Sequence, residues 1–233
     1  MSKRGTITGF VGPMNAKKTL LLLDNISAAE VVGEKVVIYK PEVDDRFAVD
    51  KVCSNCGGSH QAIPVPSSIQ RELKARSTFI LNDVKKNHPK VDIVAIDEVE
   101  MFDDDLVEVV KRLADLGKDI VYSGLNTNYR GEAFTKSIGG LMAISNKLEM
   151  LTARCTYSSN GDKNKCGAPA TMTQRLKDGQ PDFYSSPLIV IEKFAKEGEE
   201  LPKYTYEARC LKHWSCRGKR PQKKFLYNKV VKK

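Results

Sequence analysis

The stretch Phe10-Val11-Gly12-Pro13-Met14-Asn15-Ala16-Lys17-Lys18-Thr19 constrains this chain more than any other. A short apolar run of β type, Thr6 to Val11, leads into it, and Leu20-Leu21-Leu22-Leu23 follows as the start of a helix. A strand, a tight loop closing on Lys-Thr, and then a helix is the setting that a phosphate-binding loop requires. Backbone N–H groups of such a loop and of the helix N-terminus cradle a polyphosphate. In that reading Lys18 reaches the outer phosphates and the Thr19 hydroxyl ligates Mg²⁺. The spacing fits Gly-x-x-x-x-Gly-Lys-Ser/Thr with one departure, Lys17 in place of the second glycine. The bland alternative is a strand–helix turn that happens to carry lysines.

The rest of the first 146 residues alternates. The opening helix runs to about Val32, with Gly33 as its stop. Val36-Val37-Ile38-Tyr39 and Ala62-Ile63-Pro64-Val65 read as strands, and a helical pattern spans Ser67 to about Asn87. Val91 to Ile96 is a strand ending in Asp97-Glu98. Asp103-Asp104-Asp105 opens a helix whose Leu106, Val109, Val110, Leu113 and Leu116 recur at helical spacing before Gly117. Asp119 to Leu125 is a further strand, Asn126 to Phe134 a long loop, and Gly139 to Ile144 a short helix. This alternation predicts a parallel sheet with helices on both faces, and ligands bind at the carboxyl edge of such sheets. Asp97 stands at that edge, where it would hold Mg²⁺, leaving Glu98 for chemistry; otherwise Asp97 caps a turn and Glu98 is solvated. Arg46, in a polar turn, either neutralises a phosphate or is a surface arginine.

From Lys147 the texture changes to short strand-like pieces, turns and cysteines. Cys155 and Cys166 flank a flexible hairpin tip, and Cys210-Leu211-Lys212-His213 has the tight spacing of a metal site. Together they make a Cys₃His set able to close a tetrahedral structural zinc site, with Cys216 a rival to His213. Cys53 and Cys56 also stand two residues apart but lack a second half, and read as thiols in a turn. With 233 residues, 41% hydrophobic and 29% charged, the chain suits one α/β domain plus a small appendage. No apolar run approaches the roughly 20 residues of a membrane span, and no secretory segment precedes the first strand, so cytoplasm is expected. Six cysteines then read as ligands or free thiols rather than disulfides. The net charge of +9 is a property of residues 217–233, which hold eight basic residues and no acid. That tail lacks a core pattern and is expected to be flexible.

Taken in order, these segments resemble the cytosolic (type II) thymidine kinases, which join a nucleotide-binding α/β domain to a small zinc-stabilised lasso domain. Gly12-Pro13-Met14-Asn15-Ala16-Lys17-Lys18-Thr19 is similar to that family's Gly-Pro-Met-Phe-Ser-Gly-Lys-Thr. Lys40-Pro41, Asp44 or Asp45, Arg46 and Phe47 resemble its Lys-Pro-x-x-Asp-x-Arg-Tyr. Asp97-Glu98-Val99-Glu100-Met101-Phe102 resembles Asp-Glu-x-Gln-Phe-Phe. Gly124-Leu125-Asn126 through Gly131-Glu132-Ala133-Phe134 resembles a Gly-Leu-Asp loop ending in Gly-Glu-Pro-Phe. Thr173-Gln174-Arg175-Leu176, and Tyr206 to His213, match lasso patterns. The likeness covers residues 5 to 214.

The resemblance implies transfer of the ATP γ-phosphoryl group to the 5′-hydroxyl of thymidine, with Glu98 accepting the proton. It implies ATP and Mg²⁺ at Gly12 to Thr19, Arg46, Asp97 and Glu100. It implies a nucleoside pocket of Met14, Phe102, Leu125, Tyr129, Phe134, Leu188, Ile189, Val190, Ile191 and Tyr206, and zinc at Cys155, Cys166, Cys210 and His213. The expected organisation is a RecA-like P-loop α/β domain (1–147), a zinc-binding lasso domain (148–214) and a basic tail (215–233), assembled as a cytoplasmic homotetramer. Lys17 puts bulk where the family has glycine, and Glu100 puts an anion where it has glutamine. Those departures and the tail support a second reading, a catalytically impaired relative that binds RNA or a ribonucleoprotein through residues 217–233.

Overall fold

The computed structural model describes residues 4–44, 49–54, 57–67, 74–159, 165–190 and 203–219. Arg46, Cys56, Ile191 and the tail from 220 lie outside these, and so do the expectations placed on them.

The chain opens with β1 (Ile7–Gly12), α1 (Lys18–Val31) and β2 (Val36–Pro41). A small antiparallel pair follows, β3 (Lys51–Cys53) with β4 (Ser59–Gln61), and then β5 (Ile63–Val65) and α2 (Thr78–Asn87). Next come β6 (Ile93–Ile96), a 3₁₀ turn at Val99–Met101, α3 (Leu106–Asp115), β7 (Asp119–Leu125), α4 (Lys136–Ile144) and β8 (Lys147–Met150). Among the described residues six strands form one sheet in the order β5-β2-β6-β7-β1-β8, every pair parallel. Parallel strands are buried on both faces, which is why β6 is an unbroken apolar run with all four residues buried.

Alternation along the strands divides the core in two. Phe10, Ile38, Ala95 and Val121 face α1 and pack on Leu22, Leu23 and Ile26. Val11, Tyr39, Ile96 and Tyr122 face the other way, onto Ile80 and Val84 of α2, Leu106, Val110 and Leu113 of α3, and Ile138 and Leu141 of α4. Each such side chain contributes about 1.5–3 kcal/mol by leaving water. The carboxyl ends of β1, β6 and β7 are thereby fixed side by side.

Four details depart from the sequence reading. The helix expected from Ser67 starts at Thr78, because the Ala75 amide donates to the Met101 carbonyl (2.8 Å) and the Asp103 amide donates to the Ala75 carbonyl (3.0 Å). Tertiary pairing there overrides helical periodicity. Asp103 does not begin α3; it is buried and accepts from the amide and hydroxyl of Ser77. The last helix starts at Lys136, where the Thr135 hydroxyl caps the Ile138 amide (3.3 Å). The change of texture at Lys147 precedes the sheet's end, since β8 pairs with β1 as far as Met150.

The remainder is antiparallel. β9 (Ala153–Arg154) pairs with β10 (Pro169–Ala170), and β11 (Met172–Lys177) lies between β12 (Gln180–Pro181) and β13 (Tyr204–Arg209). Residues 215–219, expected to belong to a flexible tail, are hydrogen-bonded onto this region. No helix among the described residues is long and apolar enough to cross a membrane.

Candidate active site

The loop between β1 and α1 closes on itself. The Lys18 ammonium is buried and donates to the Pro13 carbonyl (2.9 Å). Gly12 permits a close approach: a Cβ there would lie 2.6 Å from the Leu151 carbonyl oxygen. Asn15 (φ 62°) and Lys17 (φ 64°) both hold left-handed backbone, a region that costs side-chain-bearing residues energy. Lys17 is nevertheless exposed, so its side chain is carried outward instead of filling the loop. Ala16 is buried against Ala153, Cys155, Ala170 and Ala208, and the Met14 amide donates to the Thr173 hydroxyl of β11 (3.2 Å).

Across the edge of the sheet, Thr19 Oγ1 lies 3.3 Å from each carboxylate oxygen of buried Asp97. Ser123, on the intervening strand β7, donates a short hydrogen bond to the same carboxylate. Glu98 follows with φ 53°, the third left-handed residue at this edge. Such outliers persist where surrounding structure imposes them, and they cluster at functional sites. Glu100 is buried in the 3₁₀ turn. Burial pushes its carboxyl well above the usual carboxylate range; Glu98 pushes the same way and Lys18 opposes.

Buried side-chain oxygens without a partner gather here as well: both oxygens of Glu100, Asn126 Oδ1 and Thr127 Oγ1. Unsatisfied buried polar atoms are uncommon in folded proteins, so a group of them at one edge calls for an explanation. Asn126 and Thr127 escape the sequence reading, although two polar residues directly after a buried strand at the ligand edge are a usable signal.

The loop after β7 and the segment after β12 form one unit. Tyr129 is buried and its hydroxyl donates to the carbonyls of Phe183 (3.1 Å) and Ser186 (2.8 Å). The Arg175 guanidinium lies 3.6 Å from the centre of the Tyr129 ring and donates to the carbonyls of Pro187 (2.7 Å) and Leu188 (3.0 Å). Leu125 and Phe134 are buried and half-buried beside this unit; Leu188, Ile189 and Val190 are half-buried, and Tyr206 is partly exposed on β13. Phe102 stands apart, wholly buried in the core beside α2 and α3.

The ligand atoms of Cys155, Cys166, Cys210 and His213 all lie within 4.8 Å of one another, and Cys216 is not of the set. His213 Nδ1 is 3.7 Å from Cys155 Sγ and 3.5 Å from Cys210 Sγ, with Tyr157 stacked on its ring. Burial works against the Cys155 thiolate, but hydrogen bonds with the Cys210 and Tyr157 backbone and with His213 bring the thiol down to about 6. Three sulfurs and one imidazole nitrogen, so clustered, fit a closed tetrahedral zinc site.

A thymidine kinase family model matches residues 5–214. The chain belongs to the thymidine kinase family. Among solved structures, a DNA replication initiation factor matches at 14% identity and TM-score 0.35, over 64% of this chain and 40% of that one. Domain III of the Thermotoga maritima replication initiation protein DnaA matches at 17% and 0.35, over 64% and 55%. The Legionella pneumophila ATPase DotB matches at 15% and 0.37, over 66% and 42%. The chain therefore spans about half the length of these structures, and likenesses this loose carry no argument about activity.

Beyond its last candidate metal ligand, this thymidine kinase family chain folds back over the Tyr129 loop. The Trp214 indole donates to the Tyr129 carbonyl (3.3 Å), the Ser215 amide to Gln174 (2.9 Å) and the Tyr184 amide to the Arg217 carbonyl (2.7 Å). Gly131 (φ 69°) makes the room: a Cβ there would stand 2.7 Å from the Trp214 ring.

Two expected results follow from this geometry. Lys17→Gly removes a left-handed penalty of about 1–2 kcal/mol, against the ~0.4–1 kcal/mol that glycine's freedom costs in the unfolded chain. A gain of about 1 kcal/mol or less is expected, read as a higher urea midpoint at unchanged slope; a lower midpoint refutes it. Metal analysis of the purified chain is expected to give one zinc per chain, lost in Cys210→Ser together with a marked fall in melting temperature. A metal-free chain that melts at the same temperature counts against the site.

Proposed function

We propose that this chain transfers the γ-phosphoryl group of ATP to the 5′-hydroxyl of thymidine. The observation that carries the reading is the convergence of Lys18, Thr19, Asp97 and Glu98 at one sheet edge, in a chain of the thymidine kinase family. Loop amides from Gly12 to Lys18 hold the phosphates, and Lys18 exchanges the Pro13 carbonyl for a phosphate oxygen. Lys17, exposed beside them, adds positive charge at the loop's rim. Phosphoryl transfer asks mainly for positioning and charge stabilisation. Glu98 takes the hydroxyl proton; the 5′-oxygen bonds to the γ-phosphorus; the bond to the bridging oxygen breaks and its electron pair leaves with ADP.

The Thr19 hydroxyl and the Asp97 carboxylate would hold Mg²⁺, a hard cation that takes oxygen ligands, which would offset phosphate charge there. Met14, Leu125, Tyr129 and Phe134 border the base. The backbone from Leu188 to Val190 hydrogen-bonds it, and Tyr206 helps hold the nucleoside. Division into a nucleotide-binding domain (1–147) and a zinc-bearing lasso (148–214), a cytoplasmic location and a homotetramer belong to the same reading; sedimentation tests the last.

Zinc-loaded protein given thymidine, ATP and Mg²⁺ is expected to form thymidine monophosphate and ADP in equal amounts. Absence of product, with ATP binding intact by calorimetry, overturns the assignment.

A further inference from the structure

Past His213 the chain does not leave the fold. The amides of His213 and Trp214 both donate to the Cys210 carbonyl (3.0 Å each), which turns it back. Gln174 of β11 then grips Ser215 with both ends of its amide, accepting from the Ser215 N–H and donating to the Ser215 carbonyl, each at 2.9 Å. Gln174 is 1% exposed, so water competes little for these bonds. Arg217 pairs with the segment after β12. Its amide donates to the Asp182 carbonyl (3.0 Å), its carbonyl accepts from the Tyr184 amide (2.7 Å), and its guanidinium lies 4.1 Å from the centre of the Phe183 ring. Trp214 and Lys219 reach the other way, to the loop after β7. The indole N–H donates to the Tyr129 carbonyl (3.3 Å), the Lys219 ammonium donates to the Arg130 carbonyl, and that ammonium lies 5.2 Å from the centre of the Trp214 ring. The short stretch from Trp214 to Lys219 thus bridges two irregular segments, and such segments are mobile unless something positions them. Tyr129 is held at its hydroxyl by the Phe183 and Ser186 carbonyls, at its ring by Arg175 and at its main chain by Trp214.

We propose that Trp214 is a positioning residue for the nucleoside: with Arg217 and Lys219 it clasps the Tyr129 loop to the segment leading into Leu188, and so sets the affinity for thymidine. The inference rests on the reading of those two segments as walls of the base pocket. A pocket whose walls are assembled for only part of the time binds more weakly by that fraction. Walls already clasped leave the nucleoside less ordering to do. Lys18, Thr19, Asp97 and Glu98 belong to other elements, at the start of α1 and beyond the end of β6, so the effect falls on binding and not on the chemical step.

Two variants and one spectroscopic signal test this. In Trp214→Leu the KM for thymidine, and its calorimetric Kd measured without ATP, are expected to rise about tenfold. Its kcat and its KM for ATP are expected to stay within about twofold of wild type, the signature of binding lost equally from ground state and transition state. A folded Trp214→Leu variant with wild-type thymidine affinity overturns the proposal, and so does one whose kcat falls while that affinity holds. Lys219→Met releases the outer tie and is expected to raise the Kd about threefold. It also keeps Trp214, the one tryptophan in the chain, whose fluorescence therefore reports on the clasp alone. In Lys219→Met acrylamide is expected to quench that emission more readily than in wild type, and saturating thymidine is expected to restore the wild-type quenching. Should Trp214→Leu not fold, Lys219→Met decides: thymidine affinity and quenching both equal to wild type overturn the proposal. Wild-type protein that binds no thymidine removes the pocket reading together with the clasp, whereas wild-type protein that binds it, with both variants unaltered, removes the clasp alone.

Discussion

Glu98→Gln is expected to lower kcat for thymidine phosphorylation by roughly 10²–10⁴-fold, the usual worth of a positioned general base. Glutamine preserves size and hydrogen bonding, so the left-handed turn at φ 53° and the neighbouring 3₁₀ turn keep their shape. What is lost is the capacity to accept a proton. ATP affinity should change little, because the phosphate loop, Thr19 and Asp97 are untouched. Steady-state turnover and calorimetric ATP binding, measured on the same preparation, separate these effects. A variant with near-normal kcat means that another group takes the proton.

The second large effect concerns stability. Arg175 and Asp182 form an ion pair with both side chains fully buried, Nε to Oδ2 at 2.7 Å. The other Asp182 oxygen accepts from the Phe183 amide and the Ser186 hydroxyl, each at 2.7 Å. Arg175 also donates to the Pro187 and Leu188 carbonyls. Removing one partner of a buried pair strands the other, so Asp182→Ala is expected to cost about 3–5 kcal/mol. Denaturant titration reads the loss, and a cost under about 1 kcal/mol refutes it. The carbonyls of Pro187 and Leu188 lose their anchor as well, so a surviving fold should bind the nucleoside more weakly.

The same pair fixes a direction for pH. Burial works against the Asp182 carboxylate, but hydrogen bonds from Ser186 and Phe183, together with Arg175, hold its carboxyl below the usual range. A depressed folded value means stability that is present above the unfolded value and lost as pH falls through the folded one. The acid limb of the wild-type unfolding curve is therefore expected to flatten in Asp182→Ala.

Much of this could be read from local spacing. Lys18-Thr19 after an apolar strand, Asp97-Glu98 at the end of another, and Cys210 three residues from His213 are short-range patterns whose chemistry dictates their geometry. Long-range facts were hidden. Nothing along the sequence tells that the loop at Lys17 turns left-handed and sends the lysine outward. The resemblance puts Glu100 with the ATP and Mg²⁺ residues, and nothing along the sequence tells that the missing side chain at Gly124 lets it sink from solvent. Phe102 reads as part of a binding motif, but the bridge from Ala75 to Phe102 draws that segment into the core. Arg175 lies within Thr-Gln-Arg-Leu, and only the fold brings it over Tyr129, 46 positions away. Ser215 to Lys219 lacks apolar periodicity because it is held by backbone and polar hydrogen bonds.

The seating of Ala16 among Ala153, Cys155, Ala170 and Ala208 has a thermodynamic consequence. On the proposed reading, one wall of the ATP cradle is built from residues near the sulfurs, so occupancy by the metal and occupancy by the nucleotide would be coupled. Whatever factor zinc adds to the affinity for ATP, ATP must return to the affinity for zinc. A chelator should therefore strip the ion more slowly from nucleotide-saturated protein, and trace-metal supply becomes a control on phosphate-donor affinity.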